Sequence, residues 1–430
     1  MTDTDRTTGI GRRTQSDIFR AGVSGIRPRI PTSWSALVAE ARRRLPADAW
    51  AYLAGSSGTE ATASANAAAF DRYRIVPRML VDTTARDLSI ELLGTHLPTP
   101  LVIAPVGVLE LAHRDADLAI ARAAAGFGIP TVLSSQASIA MERVAADPER
   151  ARRGGGPLWF QLYWSSSDEL VESLVHRAEA IGATALVVTL DTTQLGWRPR
   201  DLDRAFLPFI RGMGIAQYTS DPVFQRLSRD HPAPADRARI TPAAIRTLLA
   251  MRRRGAQPRD VQTFLDVFSR TDLTWANLAW LRSITSLPIF LKGIQHPDDA
   301  RRALDAGVDG VWVSNHAGRQ VDGAIASLDA LPPVVDAIDG VAPVVFDSGV
   351  RGGADVLRAL ALGATAVAVG HPWIYGLAIA GEAGAREALR NLLAELDLAL
   401  GLSGHRSLAD LGRDSLALTP PGGDAPSPRR

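Results

Sequence analysis

Eight short apolar runs, each followed by a stretch able to form a helix, constrain this chain more than any other feature. They are LVIAP (101–105), TVLSS (131–135), LWFQLY (158–163), ALVVTLD (185–191), PIFLKG (288–293), GVWVSN (310–315), PVVFDSG (343–349) and AVAVG (366–370). Such runs signal repeated βα units around a parallel sheet, and eight of them predict a (β/α)8 TIM barrel. Six of the seven intervals between run starts span roughly 20 to 35 residues, the length of one strand, loop and helix. The exception follows the fourth run, where residues 192–287 begin TTQLGWRPRDLDRAFLPFIRGMG. A connection that long in a compact domain is a functional lid or a disordered insertion, and a lid over the barrel mouth, about residues 200–280, is expected.

Before the barrel, WSALVAEARRRL and ADAWAYLAG read as two helices separated by Pro46, forming an N-terminal cap. The expected organisation is a flexible arm over 1–30, the barrel domain over 31–412, and a disordered tail over 413–430 that ends TPPGGDAPSPRR.

Composition narrows the chemistry. A formal net charge of +1 over 430 residues matches neither nucleic acid nor a membrane surface, which leaves a small molecule as the expected partner. With no cysteine there is no disulfide, thiolate metal site, iron–sulfur cluster or cysteine nucleophile, so redox chemistry requires an organic cofactor or another metal. No metal site is expected. The polar N-terminus lacks a signal-peptide core and no run approaches the ~20 apolar residues that span a bilayer, which predicts a cytoplasmic protein. A membrane-attached alternative rests on apolar pieces of the long connection such as FLPFI; the many arginines around them favour a lid.

In a barrel of this type the active site lies at the C-terminal strand ends. The residues there are polar and varied: Ser134, Gln161 with Tyr163, Thr189 with Asp191, Lys292, Ser314 with His316 and Arg319, then Asp347 with Arg351. Ser134 or Asp347 alone could equally be a helix N-cap, but Gln, Tyr and Lys cap poorly. DSGVRGGADVLRALALGA, after the seventh run, puts glycines and an arginine where a loop becomes a helix, an arrangement suited to phosphate, with Gly370 and His371 beside it. In SNHAGRQVDG, His316 can accept a proton near neutral pH and Arg319 can grip a carboxylate. An HxxR pair by itself is a weak signal, more commonly a structural histidine with a surface arginine.

SNHAGRQVDG, preceded by LKGIQHPDDA and followed by DSGVRGGADV, closely resembles the FMN-dependent L-2-hydroxy acid oxidase and dehydrogenase family. The likeness runs from about Trp34 to His405 and includes AYLAGSSGTEATASANAAAF, PRML, IAPVGV, FQLYW and TLDTTQLGWRPRDL in the same order. The resemblance implies that His316 is the general base, paired with Asp191, and that Arg319 and Arg198 clamp the substrate carboxylate. It implies that Tyr52 and Tyr163 hydrogen-bond the substrate. It places Lys292 near the flavin N1 and C2 carbonyl, and Gln161, Thr189, Ser134 and the backbone of Pro105, Val106 and Gly107 around the isoalloxazine ring. Ser314 lies close to the flavin, and Asp347, Gly349, Arg351, Gly370 and His371 serve ribityl and phosphate. Whether the α-carbon or the hydroxyl loses its proton first stays open.

RAFLPFIRGMG, GWRPRDLD, SITSLPIFLKGIQHPDDA and Gly107, where the oxidases usually carry alanine, are more similar to the lactate 2-monooxygenase branch. That branch implies molecular oxygen as oxidant and decarboxylation of the retained keto acid, giving acetate, carbon dioxide and water from lactate. The alternatives are an oxidase releasing keto acid and hydrogen peroxide, a dehydrogenase passing electrons to a quinone or protein, and an FMN barrel of another class, isomerase or non-catalytic. A homo-oligomer, tetramer or octamer, is implied as well. Three positions depart from the family pattern: His371 replaces a phosphate-binding arginine, Ala317 a glycine between base and clamp, and Thr59 an acidic residue of the cap motif.

Overall fold

The computed structural model describes residues 9–232 and 240–419. Eight parallel strands close into one barrel: β1 Leu101–Ile103, β2 Thr131–Ser134, β3 Leu158–Tyr163, β4 Leu186–Thr189, β5 Ile289–Ile294, β6 Gly310–Val313, β7 Val344–Phe346 and β8 Ala366–Val369. Seven strands lie wholly within the apolar runs, β5 extends one residue past its run, to Ile294, and β8 pairs with β1 to complete the circle. The (β/α)8 architecture is therefore present as expected.

The runs are continuously apolar because each strand is buried on both faces. Outward residues pack under the helices, while Val102, Val132, Trp159, Val187, Phe290, Trp312, Val345 and Ala368 fill the barrel interior. Trp159 and Phe290 stack there with ring centroids 5.3 Å apart. A hairpin of Ile90–Leu92 and Thr95–Leu97 adds Leu92 and Leu97 to this inner cluster.

Register decides which side chains meet at the mouth. Ser134 is opposite Gln161, Tyr163 opposite Thr189, Thr189 opposite Lys292, and Lys292 opposite Trp312. Directly after Lys292 the β5–β6 register shifts at Gly293, whose φ of +107° is closed to L side chains and whose missing Cβ would meet the Asp191 side chain at 3.0 Å.

The cap consists of helices Trp34–Arg44 and Ala47–Ala54, with Pro46 at the start of the second. Two segment assignments require correction. Within the arm taken as flexible, Ile10–Val23 is a helix; its Gly11 N–H donates to Asp397 Oδ2 at 2.8 Å, and Arg86 bonds the same carboxylate. Within the tail, Leu416–Leu418 forms a strand antiparallel to Tyr73–Ile75; residues 420–430 lie outside the described residues. The connection after β4, expected as a lid, is a folded layer with helices Pro222–Asp230, Pro242–Arg253 and Pro258–Val267, and its last helix, Asn277–Ile284, leads directly into β5. Residues 233–239 of it are outside the described part.

The apolar FLPFI piece turns inward. Phe206 and Phe209 are buried, three apart on the turn Pro208–Arg211 and the residues before it, and Ile210 alone of the five is exposed. Among the described residues no helix is long and apolar enough to cross a membrane.

Candidate active site

A cavity opens at the C-terminal end of the barrel. Tyr52, Pro105, Val106, Gly107, Tyr163, Arg198, Lys292, His316, Arg319, Asp347, Gly349, Gly370 and His371, all expected at the site, line it.

His316 lies on a short turn after β6 that begins with Asn315. Its Nδ1 is 2.9 Å from Asp191 Oδ1, at the end of β4. A carboxylate on Nδ1 fixes the tautomer that leaves Nε2 as the free lone pair. Burial lowers the His316 pKa, the Asp191 charge opposes this, Lys292 and Arg198 add to it, and the net shift is downward from 6.5. Burial alone would raise Asp191, but the charges of His316 and Lys292 outweigh it and its pKa falls. Near neutral pH the pair is thus a neutral imidazole against a carboxylate, ready to accept a proton.

Two guanidinium groups face the same space. Arg319 uses one nitrogen, Nη1, to donate to the carbonyls of Tyr52 (2.7 Å) and Gly55 (2.6 Å), and lies over the Tyr52 ring at 5.1 Å. Arg198 Nε donates to Arg319 O at 3.1 Å, and its Nη2 to Gln320 Oε1 at 2.9 Å. Burial, and then the Arg319 charge, push the Arg198 pKa down to about 10. A buried Arg198 beside a half-buried Arg319 is costly unless an anion joins them, and the Asp201 carboxylate acts on both charges. Burial likewise raises the Tyr52 and Tyr163 phenols, which remain proton donors.

Lys292 is 4% exposed and forms an ion pair with Asp347 at 3.2 Å. Its Nζ also donates to Ser314 Oγ at 2.8 Å, and Ser314 Oγ, Trp312 Nε1 and Ser348 Oγ donate to Asp347 at 2.6, 2.9 and 2.7 Å. These bonds offset the desolvation of the pair.

Residues 41–418 match the family described as FMN-dependent dehydrogenase. The chain is 42% identical over 403 residues to the FMN-dependent alpha-hydroxy acid dehydrogenase qulF of Penicillium citrinum, covering 94% of each. It is 38% identical to an L-lactate oxidase of Lysinibacillus sphaericus over 93% of this chain and 95% of that one. Among solved structures, mandelate oxidase with (S)-4-hydroxymandelic acid superposes with a TM-score of 0.75 at 36% identity, covering 90% of this chain and 99% of that one. The chain belongs to the FMN-dependent dehydrogenase family. Its cofactor is FMN, and it oxidises α-hydroxy acids.

The residues present fit that cofactor. Gln161 Nε2 and Thr189 Oγ1 are buried and have no partner among the described residues, although Gln161 Oε1 accepts from Ser134 Oγ at 2.8 Å. Buried polar atoms are rarely left so, and a ring system edged with carbonyl and imine groups supplies the missing partners. Ser134, Ser314 and Asp191 do not line the cavity themselves and act through neighbours that do, Ser314 bonding Lys292 and Asp191 bonding His316.

The phosphate end differs from expectation. The N–H groups of Gly353 and Ala354, which open the helix Gly353–Ala361, are taken by Glu395 at 2.8 and 3.4 Å. Arg351 turns away from the cavity, bonding Asp355 at 3.1 Å and pairing with Asp71 at 3.6 Å, and lines a separate cavity beside the N-terminal helix. His371 lines the site but stacks on Tyr375, with Nε2 3.2 Å from Leu53 O; burial and the nearby Arg319 push its pKa down to about 4, so it is neutral at pH 7. Gly349, Val350, Gly370 and His371 line the cavity at this end.

The other two departures have clear consequences. Ala317 holds a left-handed backbone (φ 57°, ψ 28°), a conformation suited to the glycine it replaces. Thr59 leaves the cap intact, because its N–H and Oγ1 both donate to Asp322 at 2.6 and 2.7 Å, and Asp322 also accepts from Ala61 N at 2.8 Å. Sequence reasoning missed Gln136, Leu195, Phe209 and Phe268 of the cavity wall. The buried i, i+3 spacing of Phe206 and Phe209 was the one available signal.

Proposed function

We propose that this enzyme oxidises a small L-2-hydroxy acid, L-lactate or a close analogue, and in air carries the keto acid on to the carboxylic acid one carbon shorter. The observation that carries the oxidation chemistry is the His316–Asp191 pair at 2.9 Å facing a cavity that also holds Arg198 and Arg319. Arg319, with Arg198 and the Tyr52 hydroxyl, binds the carboxylate; the bidentate fit of guanidinium to carboxylate orients the α-carbon. Tyr163 holds the hydroxyl, His316 Nε2 takes the substrate proton, and Asp191 stabilises the imidazolium so formed. Lys292 stands as fixed positive charge beside the cofactor ring. When bound, FMN supplies the two-electron acceptor.

Support for the monooxygenase outcome is the resemblance of the insert to that branch, Phe209 and Phe268 of the insert lining the cavity, and Gly107, where an added Cβ would meet Gln136 Cβ at 2.9 Å. A closed site retains the keto acid until peroxide decarboxylates it. The overall reaction is lactate and oxygen to acetate, carbon dioxide and water. The second reading, an oxidase releasing keto acid and peroxide, is favoured by the relatives named L-lactate oxidase from Lysinibacillus sphaericus and a Nostoc species. Incubation with L-lactate in air distinguishes them: acetate without peroxide supports the monooxygenase, whereas pyruvate with peroxide refutes it in favour of the oxidase. Anaerobic bleaching of the flavin without oxygen turnover identifies a dehydrogenase.

A further inference from the structure

Two apolar residues that complete the substrate end of the cavity, Phe209 and Phe268, come from the insert after β4 rather than from the short barrel loops. Phe209 is 4% exposed; its ring meets Tyr52 edge-on at 6.5 Å and lies 5.2 Å from Phe264. Phe264 stacks on Phe268 at 5.1 Å and meets Tyr218 edge-on at 4.8 Å. Four aromatic rings thus form one block against the cavity.

The block stands on fixed supports. Asp221, fully buried, accepts from Ser173 Oγ at 2.7 Å and Arg177 Nη1 at 3.0 Å, both on the barrel helix Asp168–Ala180. Glu110 accepts from Gly214 N at 3.2 Å and Arg254 Nε at 2.6 Å, and Val267 O accepts from Ser165 Oγ at 2.6 Å. Close-packed aromatic side chains on such a backbone resist displacement, so a substrate group that does not fit is excluded rather than accommodated.

Tyr52 lies between the Arg319 guanidinium and Phe209. A substrate with its carboxylate on Arg319 and its hydroxyl toward His316 still has its side chain to place, and the apolar residues lining the cavity include Val106, Leu195, Phe209 and Phe268. We propose that Phe209, backed by Phe264 and flanked by Phe268, sets the size limit on the substrate side chain, admitting short alkyl groups and rejecting longer alkyl or aryl ones. The proposal rests on reading the site as a 2-hydroxy acid oxidation site.

The test uses purified FMN-loaded enzyme and anaerobic flavin reduction by L-lactate, L-2-hydroxyhexanoate and (S)-mandelate, in wild type, Phe209→Ala and Phe209→Leu. Wild type is expected to favour lactate over both larger acids by tenfold or more. Phe209→Ala should raise the specificity for a larger acid relative to lactate at least tenfold, chiefly through tighter binding, and Phe209→Leu by a smaller factor. Should Phe209→Ala lose FMN or fail to fold, Phe209→Leu decides. Unchanged ratios in a variant that keeps its flavin, or a wild type that prefers mandelate, overturn the proposal. A wild type reduced by no 2-hydroxy acid overturns the underlying reading of the site, and the size limit with it.

Discussion

Replacing Asp191 with asparagine isolates what its charge does for His316. The side chains are 2.9 Å apart, and Asp191 Oδ2 has no partner among the described residues, so an amide can enter with its oxygen still toward Nδ1. Shape and tautomer are then kept while the charge is lost. Taking the charge centres as about 4 Å apart and an effective dielectric constant of about 20, the carboxylate stabilises a full imidazolium by about 4 kcal/mol. A proton half-transferred in the transition state feels about half of that, a loss in rate of roughly 30-fold, and a proton fully transferred there feels all of it, a loss of roughly 1,000-fold. Stopped-flow anaerobic reduction by L-lactate, followed at the flavin absorbance, measures it with substrate affinity nearly unchanged. The pH profile supplies a second readout. Asp191 raises a His316 pKa that burial lowers, so its removal lets that pKa fall further. The acid limb of the rate should therefore move to lower pH while the plateau drops. A variant within tenfold of wild type, or one whose acid limb moves upward, would falsify the pairing as the source of the effect.

Other expectations concern stability and assembly. Ala317→Gly removes a left-handed alanine penalty of roughly 1–2 kcal/mol, of which about 0.4–1 kcal/mol returns as unfolded-state entropy; a melting temperature below wild type would count against the strain. Asp117 accepts from Ser138 N and Ile139 N, and burial outweighs these bonds to push its pKa up to about 7 from 3.8. A carboxyl with a raised folded pKa favours the fold below the unfolded value and loses that contribution as pH rises through 7. Asp117→Asn should flatten the melting temperature between about pH 4 and 7, and an unaltered slope by calorimetry excludes Asp117 as its source. Met79 is 71% and Leu80 fully exposed, with Val76 and Leu402 also exposed, an apolar surface that suits self-association into the expected tetramer or octamer. Elution as a monomer in gel filtration contradicts it.

What was legible in the sequence follows from how local each signal is. A strand buried on both faces must be apolar throughout, so all eight runs could be located without knowing what they face. The residues closing those runs inherit their position from the strands, which is why His316, Asp191 and Lys292 could be placed at one mouth. Long-range competition was not legible. DSGVRGG followed by a helix marks free N–H groups only if nothing else occupies them, and Glu395, more than forty positions later, does so. Arg351 is drawn away by Asp355 and Asp71 in the same manner. The insert was opaque for a different reason. Its short helices and turns give no sustained period, so the inward direction of Phe209 emerges only from packing against Phe264 and Tyr52. The charges themselves point to the anion. Arg198 and Arg319 make their hydrogen bonds to main-chain carbonyls and Gln320, neutral acceptors that orient the guanidinium groups, while the Asp201 carboxylate acts on both charges through space. A protein that needed these arginines only for folding would gain by placing a carboxylate between them, since a paired buried charge costs less than an unpaired one. A substrate carboxylate held by both guanidinium groups lowers the repulsion between them, which ties recognition of a 2-hydroxy acid to the charge of this cavity wall.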